Sequence, residues 1–312
     1  MMLNVALIGA GSHCRQNHAP SLRHFVEEHP DAARLAAVCD RDEERAERAR
    51  EEFGFTEAFT DIEAMFDSVA PDAVVAVVPI PAILPVTRQL LAYRVPLMIE
   101  KPLGQDMTEA HAIVESVAAA GVPVQVSFNR RHDPAVRLAL EWVRDLSPIR
   151  AVHGAILRHN RTEARFQWGT ASHLLDLMCY IAGPLRLAWG VAPPSRGGAR
   201  LAAMTGDDEV VATAQILPCA GRMEEYVRIA GEDYCVDVWT GTPHPWRVDA
   251  YRERELQFSR RCPPDEPDYL RNGACDETAA FLANVCDGKP LSPSPSDALP
   301  STELADALER VV

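Results

Sequence analysis

Only two lysines, Lys101 and Lys289, stand among 29 arginines in this chain of 312 residues. Arginine substitutes for lysine in surface ion pairs. Its guanidinium stays charged at any working pH, however, whereas a buried ammonium can lose its proton. A retained lysine is therefore a candidate for chemistry that needs an amine. Lys289 lies in Asp287-Gly288-Lys289-Pro290, which reads as an exposed turn. Lys101 lies in Ile99-Glu100-Lys101-Pro102, directly after the apolar run 95–99. That is where the carboxyl end of a buried parallel strand would open into an active-site crevice.

A second constellation sits at the amino end, in Gly9-Ala10-Gly11-Ser12-His13-Cys14. Gly9 suits a tight turn, and Gly11 lets the backbone approach a pyrophosphate lying on a helix N-terminus. Cys14 replaces the third glycine of the dinucleotide fingerprint. Asp40 ends the next apolar run, where a carboxylate accepts both ribose hydroxyls of NAD. Its other reading is a cap for the helix starting near Asp42. Arg41 could stack on adenine or meet a 2′-phosphate. Asp40 would repel that phosphate, so NAD is expected rather than NADP.

His173 and Asp176 lie three apart in Ser172-His173-Leu174-Leu175-Asp176, on one face of a helix start. A histidine there suits a general base, and a carboxylate one turn on could orient its ring or touch substrate. Ser-x-x-Asp is also a capping-box-like start. Asn129-Arg130-Arg131 follows the apolar run 122–128. Asn129 and Arg131 are candidates for contact with a polyhydroxylated or anionic substrate. The alternative is a basic pair capping the sheet edge.

These residues need elements to hold them. Residues 1–128 alternate short apolar strands (3–8, 35–39, 74–78, 95–99, 122–128) with helices (13–28, 42–53, 82–93, 108–120). That pattern predicts a doubly wound parallel sheet, a dinucleotide-binding Rossmann domain. From residue 129 the pattern changes. A linking helix at 134–146 leads into longer, alternating strands at 149–159, 185–191, 209–217, 223–230 and 234–240. Helices are expected at 172–182, 276–286 and 297–312, with an extended linker at 291–300. Residues 129–312 therefore read as an α+β domain on an open, largely antiparallel sheet, for substrate binding and oligomerisation, with closing helices that can pack back on the first domain. The fold class is α/β.

The net charge of −14 argues against nucleic-acid or anionic-membrane partners. No apolar run reaches the roughly 18 residues that span a bilayer, and residue 1 leads straight into a strand with no basic leader. The eight cysteines include no Cys-x-x-Cys, and His18 and His24 are spaced unlike metal ligands, so no metal is expected. Free thiols fit a reducing cytoplasm.

Together these pieces resemble the Gfo/Idh/MocA oxidoreductase family. Carrying the resemblance are Ala6-Leu7-Ile8-Gly9-Ala10-Gly11, Val38-Cys39-Asp40, Glu100-Lys101-Pro102-Leu103-Gly104, Phe128-Asn129-Arg130-Arg131-His132-Asp133-Pro134 and His173-Leu174-Leu175-Asp176. The Phe281-Leu282 helix and the Asp287-Gly288-Lys289-Pro290 turn are similar to the family's closing segment. The resemblance implies a Rossmann domain, a C-terminal domain whose sheet forms a homodimer or homotetramer, and NAD-dependent oxidation or reduction of a sugar, cyclitol or related polyol. It implies that Lys101 hydrogen-bonds the reacting oxygen and His173 moves the hydroxyl proton. Gly9, Gly11, Ser12, His13, Asp40, Arg41, Pro79, Glu100 and Lys101 would hold the cofactor. Two features depart from the family. Many members carry an aspartate where Gly169 stands, and the segment 165–168 is shorter than the usual substrate loop. Val78-Pro79-Ile80 also replaces the familiar Thr-Pro-Asn. A catalytically degraded, cofactor-binding sugar sensor is the alternative reading.

Overall fold

In the computed structural model, which describes residues 2–311 apart from 162, 193–197 and 208, the five early apolar runs and a short, partly exposed edge strand that the sequence did not announce form a six-stranded parallel sheet. Its strands are β1 (Leu3–Ile8), β2 (Ala33–Cys39), β3 (Glu57–Phe59), β4 (Ala73–Ala76), β5 (Leu97–Glu100) and β6 (Val124–Ser127), in spatial order β3-β2-β1-β4-β5-β6. This is the dinucleotide-binding order, with its reversal between β1 and β4. Helices α1 (Ala19–Glu28), α2 (Glu43–Phe53), α3 (Ile62–Val69), α4 (Ile83–Leu91) and α5 (Met107–Ala120) connect the strands. Strands β4, β5 and β6 are buried throughout, which explains why they read as continuous apolar runs.

The first helix departs from the single element expected at 13–28. Cys14–His18 is a π-turn, closed by the Ala19 N–H on the Cys14 carbonyl, and α1 follows. Pro20 supplies the physical reason. It has no N–H for the carbonyl four residues back, and its ring crowds that carbonyl, so the backbone widens just before it.

The second sheet is built after α6 (Pro134–Val143) from β7 (Ala151–Leu157) and, beyond α7 (Ser172–Ala182), from seven more strands. These are β8 (Leu185–Val191), β9 (Arg200–Gly206), β10 (Val211–Leu217), β11 (Glu224–Ala230), β12 (Tyr234–Trp239), β13 (Arg247–Arg252) and β14 (Glu255–Arg261). Their order is β14-β13-β12-β11-β7-β10-β9-β8. Every pairing is antiparallel except β7 with β10. Along β10 buried and exposed residues alternate strictly, as the sequence predicted for a sheet with one wet face. Helix α7 packs on β7 because Gly154 has no side chain. A Cβ there would stand 2.7 Å from Met178 Sδ and 2.8 Å from Leu174 Cδ1.

The chain ends with α8 (Asp268–Arg271), α9 (Ala274–Asp287) and α10 (Pro295–Glu309). Helix α9 packs on α1, with Phe281 and Leu282 fully buried in the core of Leu7, Leu22, Phe25 and Phe53. The extended segment expected to reach Pro300 stops at Pro295, which takes the first helical position, where a missing N–H costs nothing. Two compact units result: residues 1–127 with 274–298, and residues 128–273 with 299–312.

Candidate active site

In the first unit, Gly9 adopts φ +90°, and a Cβ on it would lie 2.1 Å from the Val77 carbonyl oxygen, so no other residue fits the turn. Its N–H donates to the Cys39 carbonyl at 2.7 Å, which ties the turn to the end of β2. A Cβ on Gly11 would meet nothing within 4 Å. The space over the turn is thus open to a diphosphate, with the exposed Ser12 and His13 beside it. Asp40 braces the same turn. Its Oδ2 accepts from the Ala10 N–H at 2.7 Å and its Oδ1 from the Asp42 N–H at 2.9 Å. Asp42, not Asp40, caps α2, through the Arg45 N–H. Asp40 remains half-exposed and Arg41 fully so. The donor geometry and the shape of the turn fit a dinucleotide.

Pro79 is exposed and starts a short 3-10 turn, Ile80–Ala82, beyond β4. Glu100 closes β5 and is buried, and Lys101, half-buried, begins the loop that follows. Farther along this loop, Glu109 reaches back to the Gln105 N–H at 2.8 Å while Asp106 caps α5. Burial alone would raise the Glu100 carboxyl, but hydrogen bonds from His13 and His18 outweigh it and hold the group well below the usual carboxylate range. Sequence reasoning missed His18. It lies on the π-turn, and only there do its ring and that of His13 converge on Glu100.

In the second unit, His173 is half-buried at the second position of α7, directly after a π-turn at Gln167–Ala171. The first residue of α7 is Ser172, but its hydroxyl makes no cap, which removes the capping-box reading. Asp176 does not take the role expected of it as a partner of His173. It is fully buried, accepts from Arg131 Nε at 2.8 Å and Nη2 at 2.7 Å, and accepts from Ser301 Oγ at 3.2 Å. With both oxygens engaged it is an anchor for Arg131 rather than a group presented to a ligand. Arg131 also lies over the Tyr180 ring, 5.0 Å from its centroid. Asn129 donates to the Asn272 carbonyl at 2.8 Å and accepts from Arg130 at 2.9 Å. Arg130 in turn makes a two-bond contact with Glu225, which also meets Arg158 and Thr240. This buried network fixes the 129–132 turn. Its directly bonded members are up to 143 residues apart, and no local pattern announces them. A Cβ on Gly169 would enter open space, so the position has room for the aspartate that many Gfo/Idh/MocA members carry.

Residues 3–128 match the model of the oxidoreductase family with an NAD-binding Rossmann fold, Gfo/Idh/MocA. The Rossmann part of the chain thus matches the Gfo/Idh/MocA family model. Among curated relatives, the chain is 31% identical over 140 residues to D-apiose dehydrogenase of Paraburkholderia graminis, covering 45% of this chain and 36% of that protein. It is 29% identical over 188 residues to inositol 2-dehydrogenase of Corynebacterium glutamicum, covering 58% and 54% respectively. The matched stretches thus span about a third to a half of these relatives. Over the whole chain the likeness is one of fold. A dehydrogenase from Chromobacterium violaceum superposes with TM-score 0.86 at 18% identity, covering 98% of this chain and 94% of that one. Levoglucosan dehydrogenase in complex with NADH superposes with TM-score 0.82 at 19% identity, covering 99% and 96%. No helix among the described residues is long and apolar enough to cross a membrane.

Proposed function

We propose that this chain is a cytoplasmic NAD-dependent oxidoreductase that moves a hydride between nicotinamide and a CH–OH group of a sugar, cyclitol or related polyol. The observation that carries this reading is Lys101. It is one of two lysines in the chain and stands half-buried at the carboxyl end of β5, in a Rossmann sheet whose glycine turn Asp40 braces. Bound NAD would supply the hydride acceptor. In this reading Gly9, Gly11, Ser12 and His13 cradle the diphosphate and Asp40 takes the ribose hydroxyls. Arg41 and Pro79 flank the cofactor, and Glu100 fixes the strand end from which Lys101 projects. Lys101 donates a hydrogen bond to the reacting oxygen, and His173 takes the proton of the hydroxyl as its carbon gives up hydride. Arg131, held by Asp176, and Asn129 shape the substrate side of the second unit.

The relatives' names, apiose and inositol dehydrogenases, support a polyhydroxylated substrate. The test is NAD reduction, read by absorbance, across a panel of aldoses, anhydrosugars and cyclitols. Turnover with at least one class is expected. A second reading, a sensor that binds cofactor and sugar without chemistry, is favoured by one observation: a glycine, with no ionisable side chain, stands at 169, four residues before His173. Saturable NAD binding with no turnover on any polyol would select that reading.

A further inference from the structure

The proposed function gives no role to His18, nor to its convergence with His13 on Glu100. His13 Nε2 lies 3.1 Å and His18 Nε2 2.6 Å from the same oxygen of Glu100, Oε1. His18 and Glu100 are buried, at 3% and 8% exposure, and His13 is 55% exposed. Five residues along an ordinary α-helix would leave the two rings about 140° apart. The π-turn at Cys14–His18 takes up that angle and turns both Nε2 atoms to one point. We propose that His13, His18 and Glu100 form a site for a late first-row divalent cation of the zinc type.

The donor set selects the ion. Two imidazole nitrogens and one carboxylate oxygen suit zinc, cobalt or nickel, whereas magnesium and calcium take oxygen ligands. Zinc binds histidine nitrogen and carboxylate oxygen at about 2.0–2.2 Å, so tetrahedral ligands stand roughly 3.3–3.5 Å apart. The three donor atoms here all lie within 4.8 Å of one another. A cation taking the place of the two ring protons needs the His18–Glu100 pair to open by less than about 1 Å. Solvent reaches the site from the side of His13, where water can complete the coordination. Binding moves each ring proton from Nε2 to Nδ1, with no net proton lost. The Asn17 amide, which donates to the His13 carbonyl at 3.3 Å, stands 3.4 Å from His13 Nδ1. His18 Nδ1 is buried and lacks a hydrogen-bond partner. Such a partner ordinarily raises metal affinity by about 10–100-fold, so the site should bind more weakly than one in which both rings are anchored.

Titration of zinc chloride into the full chain by calorimetry tests this. The exposed Cys219 and Cys286 are first exchanged for serine, so that their thiols contribute nothing. One equivalent should bind. His13→Gln, at an exposed position that does not disturb the core, should weaken that binding at least tenfold. Glu100→Gln should do the same provided its melting curve matches the parent's. Zinc binding to His13→Gln with unchanged affinity and stoichiometry would overturn the proposal, and so would no zinc binding to the parent.

Discussion

Asp176 and Arg131 show how burial changes what a residue can do. The spacing of His173 and Asp176 suggests a catalytic pair, but the carboxylate lies under α7, saturated by Arg131 and Ser301. Asp176→Ala would strand the Arg131 guanidinium, whose side chain is only 10% exposed. Breaking one side of such a buried pair costs about 3–5 kcal/mol. Urea unfolding should therefore show a loss of that order. A loss under about 1 kcal/mol would mean that Arg131 finds water or another acceptor. Asp40 makes a different case: its carboxylate is half-exposed, and in the proposed reading it takes the ribose hydroxyls and would repel a 2′-phosphate. Asp40→Ala should weaken NAD more than NADP in calorimetric titrations. Tighter NADP than NAD binding by the unaltered chain would contradict that assignment.

Among the elements, the 129–132 turn joins local sequence to distant support. Burial, with Arg137 and Arg131 beside it, pushes the His132 imidazole from 6.5 down to about 4. The folded chain keeps this ring neutral at a pH where the unfolded chain protonates it. Its contribution to stability is therefore complete above about pH 6.5 and is lost as pH falls through about 4. His132→Gln should narrow the drop in melting temperature between those two pH values. An unchanged drop would place the acid sensitivity elsewhere. Five strands of the first sheet were legible as apolar runs because both faces are covered, whereas the edge strand β3 is short and partly exposed and gave no such run. The glycine turn and Lys101 were legible because their residue types are rare at such places. Strands β9, β13 and β14 were not. The polar and small residues of Arg200–Gly206 gave β9 no apolar run. Strands β13 and β14 carry charged residues on both faces, and their turn uses Glu253 and Arg254 at positive φ, where glycine or asparagine would have announced a hairpin. Nor was the convergence of His18 on Glu100, which depends on one extra residue in a helical turn.

On the scale of the molecule, the outer face of the second sheet exposes Trp189, Val191, Leu201 and Val211 on the neighbouring strands β8, β9 and β10. Val191 and Leu201 are direct cross-strand partners. Exposed large apolar side chains gathered on one sheet face mark an association site, so we expect a homodimer or homotetramer through this face. Light scattering should give a multiple of 34.3 kDa, and Trp189→Asp with Leu201→Glu should return the single-chain mass. A single-chain mass for the unaltered protein at micromolar concentration would refute the expectation.

The central claim is that Lys101 takes part in an NAD-linked oxidation. The most direct measurement compares steady-state NAD reduction by the unaltered chain, Lys101→Arg and Lys289→Arg on whichever polyol turns over fastest. Lys289 sits in an exposed ion pair with Asp287, and its arginine variant should match the parent. Lys101→Arg should retain the fold and lose kcat by roughly two or more orders of magnitude, the scale of a positioned proton-transfer group. Equal rates for all three proteins would contradict the claim.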